Sequence, residues 1–343
     1  VDEDIVVNSL VIEDCVFDGS NTTPVAIYAL GSIENCTIEG TEFKNFTEYA
    51  ITAGDWCGGR IDKLAVDNCL FHDCVYSAIY MPETTSSNTV QSCSDFELTN
   101  STIYNVGNNP EGDEAPKRAV VEIRKKSSVA SEQKVLIDHI TIYNFPAPDY
   151  CGAFKVDQTN NTTISNCIAM NPDNIYKTWI NPFVISTGAT ISNSVYFNCG
   201  YLDNGATQSN LVKADPMFVD AANADFMLYA ESPAIGMGDP RWGVKAGLKP
   251  GAKVLSKAVD AAKPGATITL GDGIYEESSS FDFDKEGLTI VAAEGTNPVI
   301  KTTGQWTSLG IVASTTFCIS SINASELRTY TNPRDTMSGP ARI

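Results

Sequence analysis

The residues of this chain best suited to chemistry lie in two short strings, Val121-Glu122-Ile123-Arg124 and Phe154-Lys155-Val156-Asp157. Apolar and charged residues alternate in both. On strands, Val121, Ile123, Phe154 and Val156 would face a core and the four charged residues would face outward. Side by side, the strings set Glu122 against Lys155 and Arg124 against Asp157. Two kinds of chemistry fit this pattern. As cross-strand ion pairs on an exposed sheet, each contact stabilises by about 0.2–1 kcal/mol. As a polysaccharide site, Arg124 or Lys155 would be the base that removes a proton beside a uronic-acid carboxylate, with Glu122, Asp157 and the loop acids Asp113 and Glu114 as binding residues. Such a β-elimination also needs positive charge on the developing enolate, from a side chain or from Ca2+ held by carboxylates such as Asp113, Glu114 and Asp157. No other cofactor is implied. There is no CxxC, and with only His72 and His139 as histidines a zinc site is not expected.

The elements that must position these residues follow from a repeat. With Cys167 as reference, equivalent positions are Cys15, Thr41, Cys69, Ser101, Ile140 and Ser194. The steps are 26, 28, 32, 39, 27 and 27 residues, one basic length with two insertions. Three residues before the reference stand Ile12, Ile38, Val66, Leu98, Ile137, Ile164 and Ile191; two after it stand Phe17, Phe43, Phe71, Ile103, Ile142, Ala169 and Tyr196. Between them the alternation changes phase, which marks a bend. Asn68, Asn100, Asn166 and Asn193 fall at that bend, and Asn45, Asn105, Asn144, Asn171 and Asn198 at a second one. Asparagine tolerates left-handed backbone, and its amide can bond to the next coil, so these residues are read as structural corner ladders. His139 takes an asparagine place and is read as a corner residue. A third limb repeats a small residue followed by isoleucine at Ala26-Ile27, Ala50-Ile51 and Ala78-Ile79. The pattern describes an all-β solenoid, a parallel β-helix of about seven or more coils.

At 343 residues, 43% of them hydrophobic, the chain can fill one large core and a smaller one. A net charge of −19 argues against nucleic acid or an anionic membrane as partner. No apolar run is long enough for a transmembrane helix. Cys15, Cys69 and Cys167 share the small-residue column with Thr41, Ser101 and Ser194, and read as stacked core thiols. Trp56, Tyr80, Tyr143, Tyr150 and Trp179 are candidates for a sugar-stacking surface.

The string ADPMFVD…DFMLYAESPAIGMG within residues 213–243 resembles the closing coil of secreted bacterial pectate-lyase-like proteins. The ending GDPRW and the Asn-Cys repeats narrow the resemblance to bacterial surface β-helix domains of unknown function. It covers residues 10–243 and implies a right-handed parallel β-helix, secreted or held at the bacterial cell surface. It carries no catalytic motif. The paired Asp and GHG patterns of polygalacturonase-like hydrolases are absent, as are the Arg/Lys-rich strand signatures of chondroitinase- and alginate-type lyases. Downstream, AVDAAKPGATITLGDGIYEE resembles the helical cap and first coils of the same superfamily, displaced to the C-terminal side.

The expected organisation is a β-helix over 1–243, a linker over 244–251, a cap and first-coil segment over 252–315, and an irregular tail over 316–343. The leading functional expectation is a structural or glycan-associated surface protein. The alternative is a polysaccharide lyase acting on uronic-acid-containing glycans. The expected partners are a polysaccharide or other copies of the chain. The stack from Cys15 to Ser194 is roughly 34 Å long at about 4.8 Å per coil, and a linker of about ten residues reaches some 33–36 Å. The displaced cap would therefore dock more readily on a neighbour's first coil, giving a head-to-tail filament.

Overall fold

The computed structural model describes residues 6–54, 59–83, 92–107, 119–124, 133–145, 152–156, 161–172, 181–184, 189–200, 205–277, 281–283, 286–302, 309–311, 318–320 and 323–324. It is a parallel β-helix. The chain divides into two compact units. One comprises Val1–Pro216, Asp220–Phe226 and Pro233–Trp242; the other comprises Met217–Val219, Met227–Ser232 and Gly243–Ile343.

In the first unit every strand pairing among the described residues is parallel, and the registers follow the sequence columns. Ile12, Ile38, Val66, Leu98, Ile137, Ile164 and Ile191 are consecutive partners. So are Phe17, Phe43, Phe71, Ile103, Ile142, Ala169 and Tyr196. Both columns point into one core, where Ile38, Val66, Leu98, Ile137, Ile164 and Ile191 are all fully enclosed. Because each coil repeats the side-chain type of its neighbour, like stacks on like. Phe43 lies face to face between Phe17 and Phe71, with centroids 5.1 and 5.0 Å away and planes within 6°. An eighth coil extends the stack: Thr207–Lys213 pairs with Thr190–Phe197, and Asn210 donates its amide to Asn193 Oδ1 at 2.8 Å.

The bends are left-handed, as the asparagines require. At the first, φ runs from 45° to 60° at Asp14, Gly40, Asn68, Asn100, His139, Asn166 and Asn193. Apart from the bond of Asn210 to Asn193, no Asn-to-Asn ladder forms there among the described residues. Asn100 and Asn166 instead donate to Asp67 and Asp138 of the preceding coil, at 2.8 Å each. A carboxylate accepts more bonds than an amide carbonyl, and Thr99 and Ser165 hydroxyls converge on the same two aspartates. The second bend does carry an amide ladder, from Asn144 to Asn105 and on to Asp73. Asn171 departs from its column. It lacks the left-handed φ of the others and is buried, its Oδ1 accepting the Phe145 N–H at 2.8 Å. Just past the first bend, thiols and hydroxyls alternate. The N–H groups of Cys15, Cys69 and Cys167 donate to the hydroxyls of Thr41, Ser101 and Ser194 in the following coil. Each of those hydroxyls donates in turn to a carbonyl two residues back in its own coil. Cys69 and Cys167 are buried, and burial pushes their thiols up to about 11 and 12; Cys15 is exposed.

The segment resembling a closing coil does not close an end. Residues Pro233–Trp242 run across the outside of successive coils as a strap. The Gly238 N–H donates to Asn166 O, and the Asp239 N–H to Thr141 Oγ1. Thr102 Oγ1 donates to Asp239 and accepts from the Trp242 indole, and Arg241 reaches Cys69 O. Gly238 explains how closely this string approaches the coils. Gly238 has φ +73°, and a Cβ there would lie 2.5 Å from Thr141 Oγ1 and 2.7 Å from Ile168 Cδ1, so only a bare backbone fits.

The second unit has its own core. The helix Val254–Ala261 buries Leu255 and Val259 among Leu270, Tyr275, Leu288, Ile290 and Ile300. Its first turn is capped from a strand, since the buried Glu277 accepts the N–H groups of Leu255 and Ser256. Thr267–Leu270, Gly273–Glu277 and Phe281–Phe283 begin three parallel limbs, the pattern of a β-helix start. The stretch expected to be a linker is paired: Val244 and Lys245 lie beside Leu228 and Tyr229, Leu248 bridges Leu270 and Ala252 bridges Glu276. The reach of a free spacer therefore does not apply to residues 244–251.

Candidate functional site

Val25–Ala29, Tyr49–Ala53, Ser77–Met81, Val121–Ile123, Gly152–Val156 and Asn181–Val184 form a six-stranded parallel sheet. Ile27, Ile51, Ile79, Val121 and Phe154 pair in succession and turn inward. The next residue of each strand therefore turns outward. Those residues form one row across five strands: Tyr28, Thr52, Tyr80, Glu122 and Lys155.

The charged end of this row differs from an exposed ion-pair ladder. Glu122 does lie beside Lys155, but it is fully buried. Its Oε1 accepts from Arg124 Nε at 2.5 Å and from Lys155 Nζ at 3.3 Å, and its Oε2 accepts the Ala119 N–H at 3.1 Å. The two cations are only 27% and 22% exposed, so one carboxylate holds both against the sheet. Alternation showed the outward direction of Glu122 and not what covers it. Asp157, Asp113 and Glu114 lie outside the described residues, as do Trp56, Tyr150 and Trp179. Among the described residues no group of three or more His, Cys, Asp or Glu is placed to hold a metal ion.

The other end of the row is aromatic. Tyr49 and Tyr80 stack with centroids 5.1 Å apart, and Tyr76 tilts against Tyr49 at 5.7 Å. Tyr28 is 45% exposed. Between Tyr28, Tyr49, Tyr80 and Pro82 lies an open pocket of about 450 Å3. The Arg124 guanidinium sits 5.9 Å from the centre of the Tyr80 ring and joins the aromatic end to the charged one. Tyr80 was a candidate for sugar stacking and lies on this face. Tyr143 does not, since it packs against Phe226 on the face that carries His72 and Tyr104.

That second face holds a constellation not apparent from the columns. His72 is buried, stacks on Tyr104 with centroids 4.7 Å apart, and places its ring nitrogens 2.6 Å from Asp73 and 2.9 Å from Glu42. Only an imidazolium donates from both nitrogens. Burial alone would lower the pKa of His72, but the bonds to Asp73 and Glu42 outweigh it and hold the ring above its ordinary value. The His72 bond in turn holds Glu42 and Asp73 below theirs. The His72 contribution is fully present below the unfolded histidine pKa and is lost as pH rises through the higher folded value. The Glu42 and Asp73 contributions are present above the unfolded carboxylate pKa and are lost as pH falls through the lower folded values. Urea midpoints measured across pH should therefore peak between these limits, and His72→Gln should remove the alkaline fall. An unchanged alkaline limb in His72→Gln would show that the triad is not the titrating unit. His139, the other histidine, bonds Asp138 at 2.7 Å and serves the bend.

The profile of a domain of unknown function (DUF5123) matches residues 135–242. Among curated proteins, no sequence matches the chain. Among solved structures, the alginate lyase AlyGC of family PL6 is similar over 93% of this chain and 68% of its own, with a TM-score of 0.22 and 13% identity. An arginine-to-alanine variant of the same lyase is similar over 95% and 69%, again with a TM-score of 0.22 and 13% identity.

Proposed function

We propose that this is a glycan-associated β-helix protein of the cell exterior, which holds a polysaccharide against the outer face of its six-stranded sheet. The observation that carries this reading is the single row Tyr28–Thr52–Tyr80–Glu122–Lys155, with an open pocket at its tyrosine end and two fixed cations at the other. Aromatic faces accept the apolar side of a sugar ring, and a few placed polar groups set its orientation. Arginine and lysine donate charge-assisted bonds to hydroxyls or a carboxylate. Four coil steps at about 4.8 Å make the row roughly 19 Å long, room for several sugars.

Affinity electrophoresis in gels containing alginate, polygalacturonate or a neutral β-glucan tests the reading. Retardation by at least one of them is expected, with Tyr80→Ala weakening it about tenfold, near 1.4 kcal/mol. If no polymer retards the chain, or Tyr80→Ala is retarded like the parent, the reading fails. A second reading, β-elimination on a uronic-acid-containing chain, is favoured by the fixed positions of Arg124 and Lys155 beside an open pocket. It predicts growing ultraviolet absorbance from unsaturated uronate ends, abolished in Lys155→Ala with the fold intact. Flat absorbance on alginate and polygalacturonate would eliminate it and leave binding alone.

A further inference from the structure

A second groove in the first unit lies on a different face. It follows the outer surface of the long limbs from Asn35 to Thr190 and encloses about 760 Å3. Its floor is main chain. Its walls are two rows of outward side chains in strict register, because each strand turns Cys36, Leu64, Phe96, Val135 or Thr162 inward between them. One wall includes Lys63, Asp95 and Lys134 as consecutive partners; the other includes Glu97, Thr163 and Thr190.

These six side chains share an unusual property. Lys63 stands next to Asp95, and Asp95 next to Lys134, yet none of the six side chains makes a hydrogen bond or ion pair among the described residues. Further along the same strands such groups are paired, as the Asp67 and Asp138 networks show. These six side chains thus present two ammonium groups, two carboxylates and two hydroxyls, all unspent, with no net charge among them.

From these features we infer that the groove is a binding site for an uncharged linear glycan lying along the helix axis, separate from the six-stranded face and independent of the function proposed for it. A polyanion would meet Asp95 and Glu97 on a chain of net charge −19. An added peptide strand needs free backbone donors and acceptors, and here the floor's backbone is used in strand pairing. An acyl chain needs continuous apolar walls, and here Ala65 and Leu136 are separated by Glu97 in a row that is otherwise polar. A chain of sugars supplies hydroxyls that both donate and accept, which suits ammonium and carboxylate alike. The groove crosses six coils, roughly 24 Å at about 4.8 Å per step. An extended pyranose chain repeats at nearly that spacing, so successive sugars can meet successive coils in the same way.

The full chain should be titrated calorimetrically with the uncharged β-1,4-linked hexaoses of glucose, xylose and mannose, and with polygalacturonate. Binding of at least one hexaose is expected, unaffected by added salt and weakened about tenfold or more in Asp95→Ala/Glu97→Ala. The two replaced side chains make no hydrogen bond or ion pair among the described residues, and the circular dichroism of the variant should match the parent. Silence with all three hexaoses overturns the inference, as does a response untouched by the double substitution. If Tyr80→Ala abolishes the response and Asp95→Ala/Glu97→Ala does not, the sugar sits on the six-stranded face; the groove inference falls and the proposed function stands. Salt-sensitive binding of polygalacturonate that the double substitution strengthens would show a repelled polyanion at the groove, and would likewise overturn the inference.

Discussion

Phe43→Ala is expected to destabilise the first unit by about 3–5 kcal/mol, the range for emptying a fully enclosed aromatic site. Phe43 is completely buried and stacks on both faces, so its loss removes two ring contacts and leaves Phe17 and Phe71 on opposite sides of a void. The coils are fixed by backbone bonds on both sides and cannot close the gap, which places the cost in the upper part of that range. Phe43→Leu keeps most of the volume and should cost less than about 1.5 kcal/mol. Phe17→Ala, in a partly exposed ring, should fall between the two. Urea unfolding followed by far-ultraviolet circular dichroism reads all three. A Phe43→Ala midpoint within error of Phe43→Leu would mean that the ring stack is not what packs this corner.

Glu122→Ala should be nearly as damaging, for a different reason. It removes the carboxylate that Arg124 and Lys155 share and leaves two largely enclosed cations without it. Removing one partner of a buried pair costs about 3–5 kcal/mol. The residual exposure of both cations puts the expected value near the lower bound. Lys155→Ala leaves the Arg124 bond in place and should cost about 1 kcal/mol. The ordering is the test: if Lys155→Ala and Glu122→Ala shift the thermal midpoint equally, Glu122 is not the hub of the cluster. The fall should also persist in Glu122→Gln, because an amide keeps the shape and not the charge.

The strand registers were legible in the sequence because two signals reinforce each other. Side-chain direction alternates with period two, and every phase change coincides with a residue that tolerates positive φ. That agreement fixed both inward columns and the pairing of Glu122 with Lys155. Spacing misled where it was the only signal. The coil at Thr207–Lys213 follows Ser194 by too few residues to match the repeat, although Asn210 has φ +50° and bonds Asn193 like any other corner. Burial of Glu122 was invisible because alternation gives a direction and says nothing of what lies above it. The triad of His72, Asp73 and Glu42 was hidden for a related reason. Columns align each residue with its direct partner, and the bond from His72 to Glu42 runs diagonally. The path of the strap was hidden because a resemblance to a closing coil says nothing of which surface the chain crosses; the missing side chain of Gly238 lets the backbone lie flat on Thr141 and Ile168.

The alternating corner column has a consequence for how this molecule can grow or shrink. A cysteine coil supplies the N–H and the coil after it supplies the hydroxyl, at Cys15 with Thr41, Cys69 with Ser101 and Cys167 with Ser194. At that corner the true unit is a couple of unlike turns, with a donor member and an acceptor member. Excising the Thr41 turn alone would bring two donor members together and leave an amide facing a thiol, a poor acceptor. Excising a donor and its acceptor together would preserve the order. The Ile140 turn belongs to no couple, which makes it the place where a single turn could be gained or lost without putting the rest of the stack out of phase.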